Sequence, residues 1–314
     1  MTAPLFRDPV HDGATDPVLV WNRGTSEWWL IYTSRRAGAP GPGVAWVHGS
    51  DLGYATSSDG VEFTYRGTLQ GLAFEPGHNT YWAPEVFWHD GRYHMYVSFI
   101  RGVPRTWTGH ERTIHHCTSD DLLNWTHHGE LPLSSRYCID ACVAELPGGG
   151  FRLWYKDEAA DSSTWAVDSA DLATWHSPRQ VLSGPPHEGP NVFRFRGSWW
   201  MLTDEWCGQA VHRSDDLEGW ERSGRILDVP GSRPDDARFG LHADVVVQGS
   251  GQDERAFVVY FTHPERDESG GPGTYDERSA RERRSSVQIA PLDVVDGALV
   301  CDRDRDDAVL APGP

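Results

Sequence analysis

The sequence contains almost no lysine and no long apolar segment. Lys156 is the only lysine, and the 28 basic residues are outnumbered by 46 acidic ones, for a net charge of −18. A chain this acidic repels nucleic acid and anionic membrane surfaces, so neither is expected as a partner. No run of about 18 apolar residues is present, and no membrane-spanning segment is predicted.

The sequence shows neither a signal-peptide pattern in residues 1–9 nor a regular spacing of cysteines. Residues 1–9 do not combine a charged segment with an apolar run, so we expect a cytoplasmic protein, or a secreted one if a leader was removed. The five cysteines are scattered, without paired zinc-type spacing. This favours free, mostly buried thiols over a disulfide framework. No segment has a sustained helical period with caps.

Aromatic residues and glycine are abundant instead. The chain has 15 Trp, 33 Gly and 21 Pro, and its charged fraction of 24% is that of a folded protein. Tryptophan is a large apolar surface with one hydrogen-bond donor, which suits packing beneath β-sheets and stacking against sugar rings. The candidates for stacking lie in loops or before strands: Trp46, Trp82, Trp107 and Trp206.

A seven-residue pattern, Ser-x-Asp-Leu-x-x-Trp, recurs along the chain. It occurs at 119–125, 169–175 and 214–220, and a degenerate copy runs from Ser58 to Phe63. Each copy is typical of a turn that delivers an aromatic side chain into the next strand. We therefore assign Trp125, Trp175 and Trp220 to structure.

These repeats accompany β-rich pairs with glycine-containing hinges, which predict hairpins. The pattern predicts an all-β fold, a five-bladed β-propeller with four antiparallel strands per blade. We expect one domain over residues 1–314. The predicted blades cover residues 14–69, 80–132, 138–183, 187–229 and 240–301. A β-sandwich with fortuitous turn similarity is the alternative.

An acidic residue stands near the beginning of each predicted blade: Asp16, Glu85, Asp140, Glu188 and Asp244. Carboxylates that converge on one axis raise each other's pKa, which folding alone does not favour. Hydrolysis of a glycosidic bond needs such a set, because one carboxyl protonates the leaving oxygen and another activates water or attacks directly. Alternatively, each acid merely caps a strand turn.

Several short motifs in order carry a resemblance to a known family. They are Asp16-Pro17, Trp82-Ala83-Pro84-Glu85, Ile139-Asp140, Glu188-Gly189-Pro190 and the Gly-x-His at 240–242. This series resembles glycoside hydrolase family 43 and its relatives, which are five-bladed propellers. The resemblance implies an oligosaccharide or glycoside substrate of the arabinofuranoside, xyloside or galactofuranoside type, with no required cofactor.

The same resemblance implies roles for three carboxylates. Asp16 becomes the general base, Glu188 the general acid, and Asp140 the group that orients the acid and adjusts its pKa. Family 43 enzymes invert the anomeric centre, which predicts a separation of about 6.5–9.5 Å between the Asp16 and Glu188 carboxyl groups. Asp8-Pro9 competes with Asp16-Pro17 for the role of base, but it lacks the β-rich run that follows Asp16.

Further residues are assigned to substrate or metal. His242 resembles a histidine that faces a central calcium ion or water in many relatives, so a structural calcium ion is a candidate. Basic residues near the mouth suit a carboxylated sugar or phosphate. The predicted substrate-binding residues are Trp82, Glu85, Arg35, Arg36, Lys156, His187, Asp204 and Arg238.

Three other functions stay open at this point. A glycoside phosphorylase would use Arg35, Arg36 and Arg238 to hold phosphate. A non-catalytic sugar-binding propeller would not need all three acids. A retaining fructoside hydrolase usually carries an additional β-sandwich, for which this chain has no segment.

Overall fold

The computed structural model describes residues 3–266 and 278–313, so residues 267–277 of the predicted fifth blade lie outside it. The described residues form five four-stranded antiparallel sheets, each built from strands in chain order. The predicted five-bladed propeller is confirmed, with one sheet per blade. A short helix, α1 (Ala280–Arg283), lies between the second and third strands of blade five in the sequence.

The strands of blades one to three occupy the first 182 residues of the chain. They are β1 (Ala14–Asn22), β2 (Glu27–Ser34), β3 (Asp51–Ser57), β4 (Thr64–Thr68), β5 (Thr80–His89), β6 (Arg92–Ile100), β7 (Thr113–Ser119), β8 (Thr126–Glu130), β9 (Cys138–Glu145), β10 (Phe151–Asp157), β11 (Ser163–Ser169) and β12 (His176–Leu182).

Blades four and five complete the ring. Their strands are β13 (Glu188–Phe195), β14 (Ser198–Asp204), β15 (Gln209–Ser214), β16 (Glu221–Ile226), β17 (Leu241–Gln248), β18 (Arg255–Thr262), β19 (Ser286–Val295) and β20 (Ala298–Cys301). The first strands of the five blades, β1, β5, β9, β13 and β17, contact one another around the centre.

The hydrophobic core is divided among the interfaces between blades. One cluster joins blades one and two through Trp29, Met95 and Trp125. Equivalent clusters join blades two and three, three and four, and four and five. Blades five and one close the ring through a cluster that includes Trp28 and Val259. Sheets that bury both faces in this way explain why tryptophan is so frequent in an acidic chain.

The recurrent Ser-x-Asp-Leu-x-x-Trp segment is the turn between the third and fourth strands of a blade. In blade three, the Asp171 carboxylate accepts hydrogen bonds from the backbone N–H groups of Ala173 and Thr174. Leu172 adopts a left-handed backbone with φ 61°. In blade one the same bonds are made by Asp59, with Ser57 as the serine. The degenerate copy therefore begins at Ser57, one residue before the predicted start.

The three full copies of this turn also bind the preceding blade. Asn22 of blade one donates to the carbonyl of Asp121 at 3.0 Å. The Tyr96 hydroxyl of blade two donates to the carbonyl of Leu172 at 2.5 Å. Arg152 of blade three donates to the carbonyl of Leu217 at 2.8 Å. The repeat is thus a device that joins neighbouring blades.

The five cysteines are all free: Cys117, Cys138 and Cys142 are buried, and Cys207 and Cys301 are partly exposed. Across the described ranges, no helix is long and apolar enough to cross a membrane.

Candidate active site

A β-bulge interrupts the first strand of every blade near its beginning. In β1, Asp16 and Pro17 together oppose one residue of β2, because the pairing passes from Thr15 to Val18. The same two-against-one register occurs in β5, β9, β13 and β17. Such bulges re-aim a side chain at a functional site. The first bulged residues of the five blades are Asp16, Ala83, Asp140, Gly189 and His242.

Four of these bulges are hydrogen-bonded to the neighbouring blade. Thr33 accepts the N–H of Ala83 at 2.9 Å, and Ser98 accepts the N–H of Asp140 at 3.0 Å. Asp204 accepts the N–H of His242 at 2.6 Å from the matching position in β14. In blade three this position holds Lys156, which cannot accept a hydrogen bond. There the N–H of Gly189 donates instead to the Asp140 carboxylate, at 3.1 Å.

The strand registers show that the five acidic residues do not occupy equivalent positions in their blades, which corrects the expectation from the sequence. Asp16 and Asp140 share the first bulge position with His242, whereas Glu188 lies one residue earlier. Glu85 and Asp244 lie two residues later, farther along the central channel. Together with Asn191 they line a separate cavity of about 360 Å³.

The beginnings of the first strands open into a cavity of about 470 Å³. The structure brings eight of the predicted site residues to it: Asp16, Arg35, Trp82, Asp140, Lys156, Glu188, Asp204 and His242. The loop tryptophans Trp46, Trp107 and Trp206 also line it. Carboxylates and aromatic surfaces in one concave site are the usual components of a small-ligand or substrate pocket.

Asp16 is buried and is bound by groups from three directions. One Arg35 nitrogen lies 3.3 and 3.2 Å from its two carboxylate oxygens, and the Thr15 hydroxyl donates to Oδ2 at 3.1 Å. Nδ1 of His242 lies 3.5 Å from Oδ1. These contacts place a cation, a hydroxyl donor and an imidazole against the Asp16 carboxylate.

Glu188 has a donor on each carboxylate oxygen. Lys156 Nζ lies 3.0 Å from Oε2, and the indole N–H of Trp206 donates to Oε1 at 2.9 Å. Burial alone would raise the pKa of Glu188, but Lys156, His242 and the Trp206 indole together outweigh burial and hold this pKa below its ordinary value. Lys156 has a second acceptor, Glu158 at 3.2 Å, and Arg112 binds the same Glu158 oxygen at 2.9 Å.

Two other carboxyl groups of the cavity, those of Asp140 and Asp204, bind a proton more readily than Glu188 does. Burial raises the pKa of Asp140 to about 6, and the charge of Glu188 adds to the rise while His242 opposes it. Burial and the charge of Glu188 raise the pKa of Asp204 to about 7. Asp204 also accepts the backbone N–H of Trp206 at 2.6 Å, so it holds both the Trp206 loop and the His242 bulge.

His242 occupies the centre of this acidic group. Burial lowers its pKa, but the surrounding carboxylates, with Asp140 and Asp16 first and Glu188 and Asp204 after them, together outweigh burial and raise it overall. Within residues 3–266 and 278–313, no three His, Cys, Asp or Glu side chains are arranged to hold a metal ion. These residues therefore do not fit a protein cage for calcium, and the calcium ion stays a prediction.

Four predicted substrate-binding residues lie away from this cavity. Glu85 faces the channel, where it accepts the N–H of Val143 at 2.7 Å, and burial raises its pKa to about 8. Arg36 donates to the carbonyls of Ala45 and His48. His187 is hydrogen-bonded to Thr164 and Pro185, and Arg238 is not among the lining residues.

Asp8, the alternative candidate to Asp16 for the general base, binds groups of the surrounding chain. Its carboxylate accepts hydrogen bonds from the Ser34 and Tyr32 hydroxyls and from the N–H groups of Val10 and His11. It does not line the cavity.

Sequence reasoning missed five charged or titratable residues of the cavity: Arg112, Glu158, His263, Arg266 and Arg278. Glu158 carried a signal, since it lies two residues after the only lysine. The other four follow or precede strands outside the recurring motifs, so no pattern marked them.

No protein-family model and no curated protein matches this sequence. Solved structures match over nearly its whole length. A thermostable family-43 glycoside hydrolase is 20% identical, with a TM-score of 0.66 over 98% of both chains. The GH43_1 enzyme from Xanthomonas citri, solved with xylotriose, is 16% identical, with a TM-score of 0.68 over 98% of this chain and 96% of its own.

A GH43 β-1,3-galactosidase, solved with galactodeoxynojirimycin, is 14% identical, with a TM-score of 0.68 over 97% of this chain and 99% of its own. At these identities the comparison establishes the fold. The predicted resemblance is confirmed at that level: the chain has the five-bladed propeller of family 43 glycoside hydrolases.

Proposed function

We propose that this protein is a glycoside hydrolase whose active site is the cavity at the beginnings of the first strands. The observation that carries the proposal is the convergence of Asp16, Asp140 and Glu188 in one cavity lined with tryptophan. Two carboxyl groups in different protonation environments are what glycosidic hydrolysis needs.

In this proposal Asp16 is the general base. Its contacts with Arg35, Thr15 and His242 fix the direction of its carboxylate. It activates a water molecule for attack on the anomeric carbon. Asp140 contributes by its charge and position, since it lies near both Glu188 and His242.

Glu188 is the proposed general acid, and it has to receive a proton first. Asp140, Glu188 and Asp204 influence each other's titration, so protons near neutral pH belong to the group rather than to one residue. Glu188 can take a proton when Lys156 releases Oε2. Glu158, already 3.2 Å from Nζ, offers Lys156 an alternative acceptor.

The substrate class and the stereochemistry belong to the proposal as well. We propose an oligosaccharide of the arabinofuranoside, xyloside or galactofuranoside type, cleaved with inversion. Structures with the same fold include one with xylotriose bound and one named as a β-1,3-galactosidase, which supports a carbohydrate substrate.

The test is hydrolysis of a panel of aryl glycosides and disaccharides by the wild type and by Asp16→Asn. We expect turnover of at least one substrate, and a loss of about 10²–10⁴-fold in the variant, the usual contribution of a general base. Proton NMR of the first product should detect the anomer opposite to the substrate. Undiminished turnover by Asp16→Asn would refute the base assignment, and a retained anomer would refute inversion.

The alternatives have less support from the geometry. A phosphate site built from Arg35, Arg36 and Arg238 is not favoured. Of these three arginines, Arg35 alone lines the cavity, and the Arg36 guanidinium binds backbone carbonyls. A non-catalytic sugar-binding propeller would bind saccharides without releasing product from any member of the panel.

A further inference from the structure

Asp204 is the last residue of β14, and its side chain binds two separate segments of the chain. Oδ1 accepts the backbone N–H of Trp206 at 2.6 Å, and Oδ2 accepts the backbone N–H of His242 at 2.6 Å. Asp204 is 1% exposed, so little water competes for either oxygen. One buried carboxylate therefore holds both the loop after β14 and the bulge of β17.

The loop after β14 leads to Glu188. Trp206 has a left-handed backbone with φ 58°, a conformation that a residue with a side chain keeps only where its surroundings hold it. The residue is 41% exposed, which limits the contribution of packing to its position. Its indole N–H donates to Glu188 Oε1 at 2.9 Å. The bond to Asp204 therefore helps to fix the backbone from which the indole reaches Glu188.

The bulge of β17 leads to Asp16. His242 is the first bulged residue, and its Nδ1 lies 3.5 Å from Asp16 Oδ1. The imidazole also packs closely on the residue after Glu188, since a Cβ at Gly189 would lie 3.1 Å from it. The bond from the His242 N–H to Asp204 holds this bulge, and with it the position of the imidazole beside Asp16.

A carboxylate at this place differs from the matching residues of blades one and two. Thr33 and Ser98 each accept the N–H of the next bulge with a single hydroxyl oxygen. Asp204 has two acceptor oxygens, and the one that the His242 N–H leaves free binds Trp206. The second oxygen is what allows one side chain to hold both segments.

We propose that Asp204 is a positioning residue that fixes the two reacting carboxyl groups relative to each other, Glu188 through Trp206 and Asp16 through His242. Displacements of about 1 Å can slow an enzyme about 10²-fold, so a shared anchor of this kind matters for turnover. The inference rests on the proposed glycosidase function, and it gives Asp204 a role other than the substrate binding predicted from the sequence.

The first test needs no substrate. In protein with isotope-labelled tryptophan and histidine, NMR reports the backbone and indole N–H of Trp206 and the backbone N–H of His242, assigned from Trp206→Phe and His242→Gln. Asp204→Ser keeps one short acceptor, as Ser98 does, whereas Asp204→Asn replaces one acceptor oxygen by an amide group. We expect both to weaken the Trp206 contacts and to move its indole signal upfield, although the indole contacts Glu188 and not Asp204.

The second test is turnover of a disaccharide and of a dinitrophenyl glycoside, whose leaving group needs no proton. Asp204→Ser should lower kcat on the disaccharide about 10- to 100-fold and leave KM near the wild-type value. The dinitrophenyl glycoside should lose less, because the hydroxyl group still holds the His242 bulge beside Asp16. Asp8→Asn is the matched control, since Asp8 is also a buried aspartate that accepts backbone N–H groups, and it lies outside the cavity.

Trp206 signals that stay in place in folded Asp204→Ser and Asp204→Asn protein overturn the inference. So does a higher KM with an unchanged kcat, which would make Asp204 a substrate-binding residue, or an equal loss of turnover in Asp8→Asn. If the wild type hydrolyses neither substrate, the glycosidase proposal fails. The NMR signals still decide whether Asp204 positions Trp206 and His242, so the two proposals fail separately.

Discussion

Lys156 occupies a position that serves a different purpose in other blades. Thr33, Ser98 and Asp204 stand at the matching place, and each accepts a backbone N–H of the next blade. Lysine cannot do this, so the bulge at Gly189 is held by Asp140 instead. Lys156 binds Glu188 instead, and Asp140 both holds the Gly189 bulge and influences the titration of Glu188. The only lysine of the sequence therefore supplies the cation that pairs with Glu188.

Lys156→Met tests whether the Lys156 ammonium lowers the pKa of Glu188. Loss of the ammonium should raise the pKa of Glu188, because an adjacent cation depresses the pKa of a carboxyl group. A general acid acts in its protonated form, so the alkaline limb of kcat/KM against pH should move to higher pH.

Lys156→Arg, which keeps the charge, is the control and should leave the limb close to its wild-type position. An alkaline limb that does not move in folded Lys156→Met protein would contradict the link between Lys156 and Glu188.

At the scale of elements, the recurrent turn explains both the repeat and the order of the blades. The aspartate and leucine shape the turn, the tryptophan enters the core between blades, and the carbonyl of the turn accepts a donor from the preceding blade. A sequence pattern can predict such a turn because each part of it depends on neighbouring residues. The donors, Asn22, Tyr96 and Arg152, have no common identity and were not predictable.

Tyr96→Phe removes one of these donors and keeps the aromatic ring. The buried carbonyl of Leu172 then loses its partner, and we expect a loss of about 1–2 kcal/mol in the free energy of unfolding. Urea denaturation measures the change. Tyr137→Phe serves as the control, since Tyr137 is 40% exposed, and it should stay within about 0.5 kcal/mol of the wild type. Equal stability of the two variants would argue against the inter-blade bond.

The bulges mark the limit of prediction from the sequence. Asp16, Asp140 and Glu188 precede recognisable strands, and the structure brings them together. Glu85 looked equivalent, but the extra residue in each first strand turns it into the channel. Arg36 neighbours Arg35, yet the chain directs it to backbone carbonyls. Register and side-chain direction depend on contacts between blades, which no local pattern contains.

At the scale of the whole molecule, the channel concentrates buried carboxyl groups along its length. Glu85 and Asp244 lie half-buried in the channel beyond the cavity at the strand beginnings, and burial raises the pKa of both. Folding therefore requires Glu85 to retain a proton that the unfolded chain loses. The free energy of unfolding therefore depends on pH through these groups.

Glu85→Gln should stabilise the protein. The folded state holds the Glu85 proton up to about pH 8, whereas the unfolded state releases it near its ordinary pKa. Wild-type stability due to this group is thus lost as pH rises through that interval. Glutamine does not titrate, so its advantage should grow from pH 5 to pH 8 and reach on the order of 2 kcal/mol near pH 7.

Thermal unfolding of both proteins across this pH range measures the difference. An advantage that does not change with pH, or that shrinks as pH rises, would contradict a protonated Glu85.

The most direct test of the account compares Glu188→Gln with Glu85→Gln on a disaccharide, whose poor leaving group needs a proton. The two substitutions are chemically identical and both lie in buried first strands, but only Glu188 lines the cavity. We predict that kcat/KM falls about 10²–10⁴-fold in Glu188→Gln and stays near the wild-type value in Glu85→Gln. Full activity in Glu188→Gln, or an equal loss in both variants, would contradict the assignment of the cavity as a glycosidase active site.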